Sequence, residues 1–102
     1  MTSTGLLEKV KTALRFSHNK LDAELEDQIE AAVLDLSLAG VVIRNDGDAL
    51  IVSAIKTYCR AHMTDDVATS QMYLDRYERQ KATLKSTKAY GTYIGEAGSY
   101  AE

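Results

Sequence analysis

Residues 48–63 read DALIVSAIKTYCRAHM, and the class of the fold turns on how this stretch repeats. Leu50, Ile51, Ala54, Ile55, Tyr58, Cys59 and His62 recur at i, i+3, i+4, i+7 and i+8, the spacing that gathers side chains on one face of a helix and scatters them on a strand. Val52 and Ala61 widen the apolar arc, and Asp46 or Asp48 is placed to accept the unpaired N–H groups of the first turn. A helix this apolar belongs inside its domain with other helices laid against it. Each buried Leu or Ile contributes roughly 1.5 to 3 kcal/mol, more than a cap or a surface ion pair supplies.

Three further segments can cover it. Thr4 to Phe16 carries Leu6, Leu7, Val10, Ala13 and Leu14 at helical spacing, with Ser3 or Thr4 as cap. After the polar break Ser17–His18–Asn19–Lys20, in which Asn19 is placed as a cap, a second helix is expected over Leu21 to Ala39. Its inner face is Leu21, Leu25, Ile29, Ala32, Val33, Leu36 and Ala39. Asp22, Glu24, Glu26, Asp27, Glu30 and Asp35 fill much of the remainder, and the first-turn acids suit the positive end of the helix dipole. Gly40 is the expected left-handed stop. Val41, Val42 and Ile43 are expected to tuck onto the core before a turn at Asn45-Asp46-Gly47. A last helix is expected from Val67 to Ser86, capped by Thr64, Asp65 or Asp66, with Tyr73, Tyr77 and Leu84 inward and Ser70, Leu74 and Lys81 flanking.

The pattern predicts an all-α protein, a compact bundle of about four helices. The helical domain spans residues 1–86 and a flexible C-terminal tail spans residues 87–102. That tail, with three glycines and no periodic stripe, does not continue the helix. Tyr90, Tyr93, Ile94 and Tyr100 are nonetheless too apolar for a plain solvated segment, and aromatic residues of this kind are enriched at interface centres. They are the candidate partner-binding residues.

Composition narrows the function. At 102 residues the chain suits one domain, which buries about two-thirds of its unfolded surface. A net charge of −3 argues against a dedicated nucleic-acid grip, though not against a protein that lets DNA pass without holding it. The single cysteine, Cys59, has no partner for an internal disulfide. No apolar run is long enough to span a bilayer, and the N-terminus lacks a signal-peptide pattern.

Nothing in the sequence marks catalysis. Cys59 and His62 share a helix face, but a structural zinc needs four ligands and only His18 remains; as a nucleophile pair they lack an orienting third residue and an oxyanion site. The calcium-loop reading of Asn45, Asp46 and Asp48 fails because the twelfth position falls on Lys56. No glycine-rich phosphate loop is present. The expectation is a non-enzyme with no cofactor and no metal.

With the helices placed, LLEKVKTALR at 6–15, a second helix opening on Asp22-x-x-Leu25 and closing on Leu38-Ala39-Gly40, AIKTYCRAH at 54–62 and YLDRYERQKATLKST at 73–87 together resemble the head-tail connector, or head-completion adaptor, proteins of tailed bacteriophages and prophages. The resemblance covers most of residues 6–86. It implies a structural adaptor that assembles into a ring, dodecameric in the particle, beneath the portal. Its partners would be the portal protein and a downstream tail-completion protein, and DNA would pass through without specific binding or any membrane role. The location implied is the virion head-tail interface, with host cytoplasm during assembly. Family members use the carboxyl-terminal segment on the portal, which suits this tail, and Glu24, Asp27 and Glu30 are candidates for the channel wall. The alternative from another class is a small phage-encoded regulatory or nucleic-acid-associated helical protein, whose recognition helix over Arg76 to Lys88 would be interrupted by acids.

Overall fold

A computed structural model describes residues 4–15, 19–43 and 48–87. These residues form four helices: α1 (Thr4–Leu14), α2 (Asp22–Leu38), α3 (Ala49–His62) and α4 (Val67–Ser86). The all-α bundle expected from the periodicity is the fold found. α3 packs against each of the other three, most extensively α4, and α1 also touches α2. Ile51, Val52, Ala54, Ile55, Thr57, Cys59 and Ala61 of α3 are buried, and Thr57 satisfies its hydroxyl on the Ser53 carbonyl at 3.0 Å. Around them close Leu6, Leu7 and Val10 of α1, Leu25, Ile29, Ala32 and Leu36 of α2, and Tyr77 and Leu84 of α4.

Two ends of the expected α3 stripe differ. Leu50 is 56% exposed and His62 is exposed, although Ile51 and Val52 in the same first turn and Cys59 and Ala61 in the same last turn are buried. His62 Nδ1 instead meets the Tyr58 carbonyl at 2.9 Å, and its ring stacks on Tyr58. Tyr73, expected inside, is half-buried.

The termini of the helices follow local chemistry. Asp48 caps α3, accepting from the Leu50 and Ile51 N–H groups at 3.0 and 3.4 Å; Asp66 caps α4, accepting from Thr69 N–H at 2.9 Å. Asn19 is not the cap of α2: no side chain caps that helix, and the Asn19 carbonyl oxygen Oδ1 is taken by Lys11 Nζ at 2.8 Å. At the other end of α2, Gly40 has φ +100. Its N–H donates to Ser37 O at 3.1 Å and the Val41 N–H to Leu36 O at 3.0 Å, the doubly bonded stop in which C″ packs on C3. Val41 is buried for that reason, while Val42 and Ile43 are half-buried. α1 ends two residues earlier than Phe16 because Arg15 is left-handed, φ 62. The candidate caps Ser3 and Asp46, the turn 45–47, His18 and the tail residues Tyr90, Tyr93, Ile94 and Tyr100 lie outside the described residues.

Candidate functional site

α2 presents two unlike surfaces. Its inner stripe, Leu25, Ile29, Ala32 and Leu36, is in the core. Outside, the N-terminal half carries Glu24, Asp27 and Glu30, all exposed and spaced at three-residue intervals, so that they wind across the outer surface instead of meeting at a point. In the C-terminal half the surface turns apolar. Leu34 is 58% and Leu38 79% exposed, one turn apart. Apolar residues at 33, 34, 36 and 38 exceed what one inward stripe holds, and that excess was the sequence signal for a second face.

Asp35, which the pattern assigns to the solvated side, reaches α4. The Tyr77 hydroxyl donates to Asp35 Oδ2 at 2.6 Å and Lys81 Nζ to the same oxygen at 3.0 Å; Lys81 also pairs with Glu78 at 3.1 Å. Burial works to raise the Asp35 pKa, but the hydrogen bonds from Tyr77 and Lys81 and the lysine charge outweigh it, and the carboxyl is held below its ordinary value. The Tyr77 phenol is pushed up by burial and by its bond to the carboxylate. Its edge meets the Tyr58 ring at 5.1 Å. A buried tyrosine needs a partner for its hydroxyl, so Tyr77 itself was the clue to this bond. The node fastens α2 to α4, and with Asp35 held ionised and Tyr77 neutral it has no group poised for proton transfer at neutral pH.

A second polar tie joins α1 to α2. Lys11 is buried and pairs with Asp22 at 3.0 Å, its stem running along apolar surface to bring the ammonium to Asp22 and Asn19.

Where α1 ends, α3 ends and α4 begins, cationic groups collect around one aromatic ring. The Arg60 guanidinium donates to Ala13 O at 3.1 Å, closing the end of α1. Arg60 and Arg76 stand 5.7 and 5.3 Å from the Tyr73 ring centre. Ser70 Oγ donates to Ala61 O at 2.8 Å and fixes the α3–α4 corner. Tyr73 is thus half-buried under arginines: Arg76, three residues on along α4, is the neighbour the helical period gives it, whereas Arg60 comes from α3 and no local pattern places it there.

The catalytic readings find no geometry here. Burial pushes the Cys59 thiol up to about 12, so the thiolate a nucleophile or metal ligand requires is not formed near neutral pH. Among the described residues no three His, Cys, Asp or Glu side chains converge on a point where a metal could sit, and no helix is long and apolar enough to cross a membrane.

No curated protein and no solved structure matches the chain. A family profile does: the one described as phage connector protein matches residues 6–90, from the first core leucine of α1 through all of α4 to Tyr90. With that match running over all four helices and well beyond half of its length, the chain belongs to the phage connector protein family, a structural, virion-associated family.

Proposed function

We propose that this protein is a head-tail connector of a tailed phage or prophage that forms a ring beneath the portal, extends the DNA channel and receives the downstream tail-completion protein. The observation that carries the reading is the family match across residues 6–90; the outer face of α2 supports it. A subunit of a closed ring needs surface that folding does not use, and Leu34 and Leu38 supply an apolar contact for a neighbouring subunit. Glu24, Asp27 and Glu30 on the same helix suit a wall past which DNA slides, since carboxylates repel phosphate and release no counterions. The assembled ring is dodecameric and lies at the head-tail interface of the virion, after assembly in the host cytoplasm.

Tyr90, Tyr93, Ile94 and Tyr100 engage the portal, aromatic side chains being enriched at the centres of protein interfaces. The test is removal of residues 87–102. The shortened protein keeps its helicity and a cooperative melt by circular dichroism and no longer co-sediments with portal rings of the same phage. Loss of the fold on truncation, or undiminished portal binding without the tail, would refute this division of roles.

A further inference from the structure

α3 and α4 leave between them, at the end where α4 finishes, a groove of about 260 Å³. Leu84 is buried at its base and Leu50 stands open on its α3 side. Gln80 lines it beside them: Nε2 donates to Ser53 Oγ at 3.1 Å, while Oε1 is buried with no partner. Exchanging the two ends of the amide would only transfer the deficit to the nitrogen. Arg76 and Arg79 line the groove, and among the described residues neither makes an ion pair. The groove therefore asks for three things together: apolar or aromatic side chains, a hydrogen-bonding group that reaches Gln80, and a carboxylate at the arginines.

The segment that follows α4 carries all three in order. Residues 88–96 read KAYGTYIGE, with two phenols, an isoleucine and Glu96. Thr87 has left the helix for extended backbone, φ −89 and ψ 130, beside the groove's Thr83 and Leu84. From Thr87 back to Arg76 is about 16 Å along the helix axis, and the nine residues from Thr87 to Glu96 span up to roughly 30 Å when extended, enough to reverse direction and lie along the groove. The short tether also gives the segment a high effective concentration at its own groove.

We infer that the α3–α4 groove is the docking site of the chain's own residues 88–96 in the free subunit. Tyr90 and Tyr93 cover Leu50 and Leu84, a phenol hydroxyl donates to Gln80 Oε1, and Glu96 meets Arg76 and Arg79. This goes beyond the connector reading, because it concerns the subunit before any portal is present.

The test uses the full chain with the photo-crosslinking residue p-benzoylphenylalanine in place of Tyr93, irradiated as a dilute mixture of ¹⁴N- and ¹⁵N-labelled protein and mapped by mass spectrometry. Expected are cross-links within one chain to peptides containing Leu50 or residues 76–84, falling at least fivefold with Leu50→Glu and again with Arg79→Glu, two exposed positions at which far-UV circular dichroism stays unchanged. Cross-links joining ¹⁴N to ¹⁵N chains would give the groove to a second copy and overturn the proposal, as would cross-links elsewhere or yields untouched by both variants. Portal co-sedimentation of Leu50→Glu is a separate readout: it remains if only the intramolecular docking is wrong and is absent if the connector reading itself fails.

Discussion

α3 and α2 are amphipathic helices of similar length, 14 and 17 residues, used in opposite ways. α3 is enclosed: it buries residues in every turn of its middle and meets all three other helices. α2 lies along one side, with four residues in the core and an outer surface that passes from carboxylates to two open leucines. For α3, folding dictates the seven side chains that it buries. On the outside of α2 it dictates little, so Leu34 and Leu38 are there in spite of their cost in solubility, and that contrast separates the residues that make the domain from those available to assemble it.

The contrast breaks most sharply with one charge placed on each helix. Ile55 is fully buried, and Ile55→Asp puts an unpaired carboxylate into the core at a cost of several kcal/mol, comparable with the roughly 5 to 15 kcal/mol that holds such a domain together. The variant loses its cooperative melt by circular dichroism. Leu38→Asp, on the open face, shifts stability by no more than about 0.5 kcal/mol while removing ring assembly on the portal, seen by electron microscopy. A folded Ile55→Asp or an unfolded Leu38→Asp would erase the distinction between the two helices.

A smaller effect tests how the outer helix is fastened. Tyr77→Phe removes the donor to Asp35 at little change in volume, and is expected to cost about 1 kcal/mol at pH 7 by urea denaturation. The pH dependence has a definite sign. Because the folded carboxyl is held below its ordinary value, Asp35 contributes stability that is present above the unfolded-state pKa of about 4 and is lost as pH falls through the lower folded value. The gap between wild type and Tyr77→Phe therefore narrows as pH is taken below about 4. A gap constant from pH 7 to pH 3 would mean that the ionised carboxylate is not what the phenol serves.

These bonds also mark where sequence reading stops. The helices, the Asp48 and Asp66 caps and the Gly40 stop were legible because each is decided within a few residues by periodicity or backbone chemistry. Leu50 and His62 were misread because period alone cannot say which positions of a turn its neighbours cover. Asp35 with Lys81 is a pair 46 apart in sequence, and Arg60 with Ala13 one 47 apart; both depend on crossing geometry that no local pattern encodes. Nothing in the local pattern singles out Lys11, and only the fold shows it closed in against Asp22. Of the proposed site residues, Glu24, Asp27 and Glu30 are exposed, as the pattern has them, whereas Leu34 and Leu38 were passed over because the inward stripe was already complete without them.

The smallest test compares the two helix stops. Gly40 and Arg15 both have positive φ, 100 and 62, but only one of them is the residue that suits it. A Cβ at Gly40 meets no atom within 4 Å, so Gly40→Ala suffers from backbone conformation alone and should lower stability by about 1 kcal/mol. Arg15→Gly should do the reverse, a gain of a few tenths to about 1 kcal/mol, since the left-handed penalty is relieved while the unfolded chain gains some freedom. Both are read as shifts in melting temperature. If Arg15→Gly is the more stable protein, an arginine is being held against the interest of the fold, beside Arg60 at the cationic end of the bundle, and joins Leu34 and Leu38 among the residues that folding does not explain. If Arg15→Gly instead destabilises, its side chain is part of the packing there, and the end of α1 is governed by the same enclosure as α3.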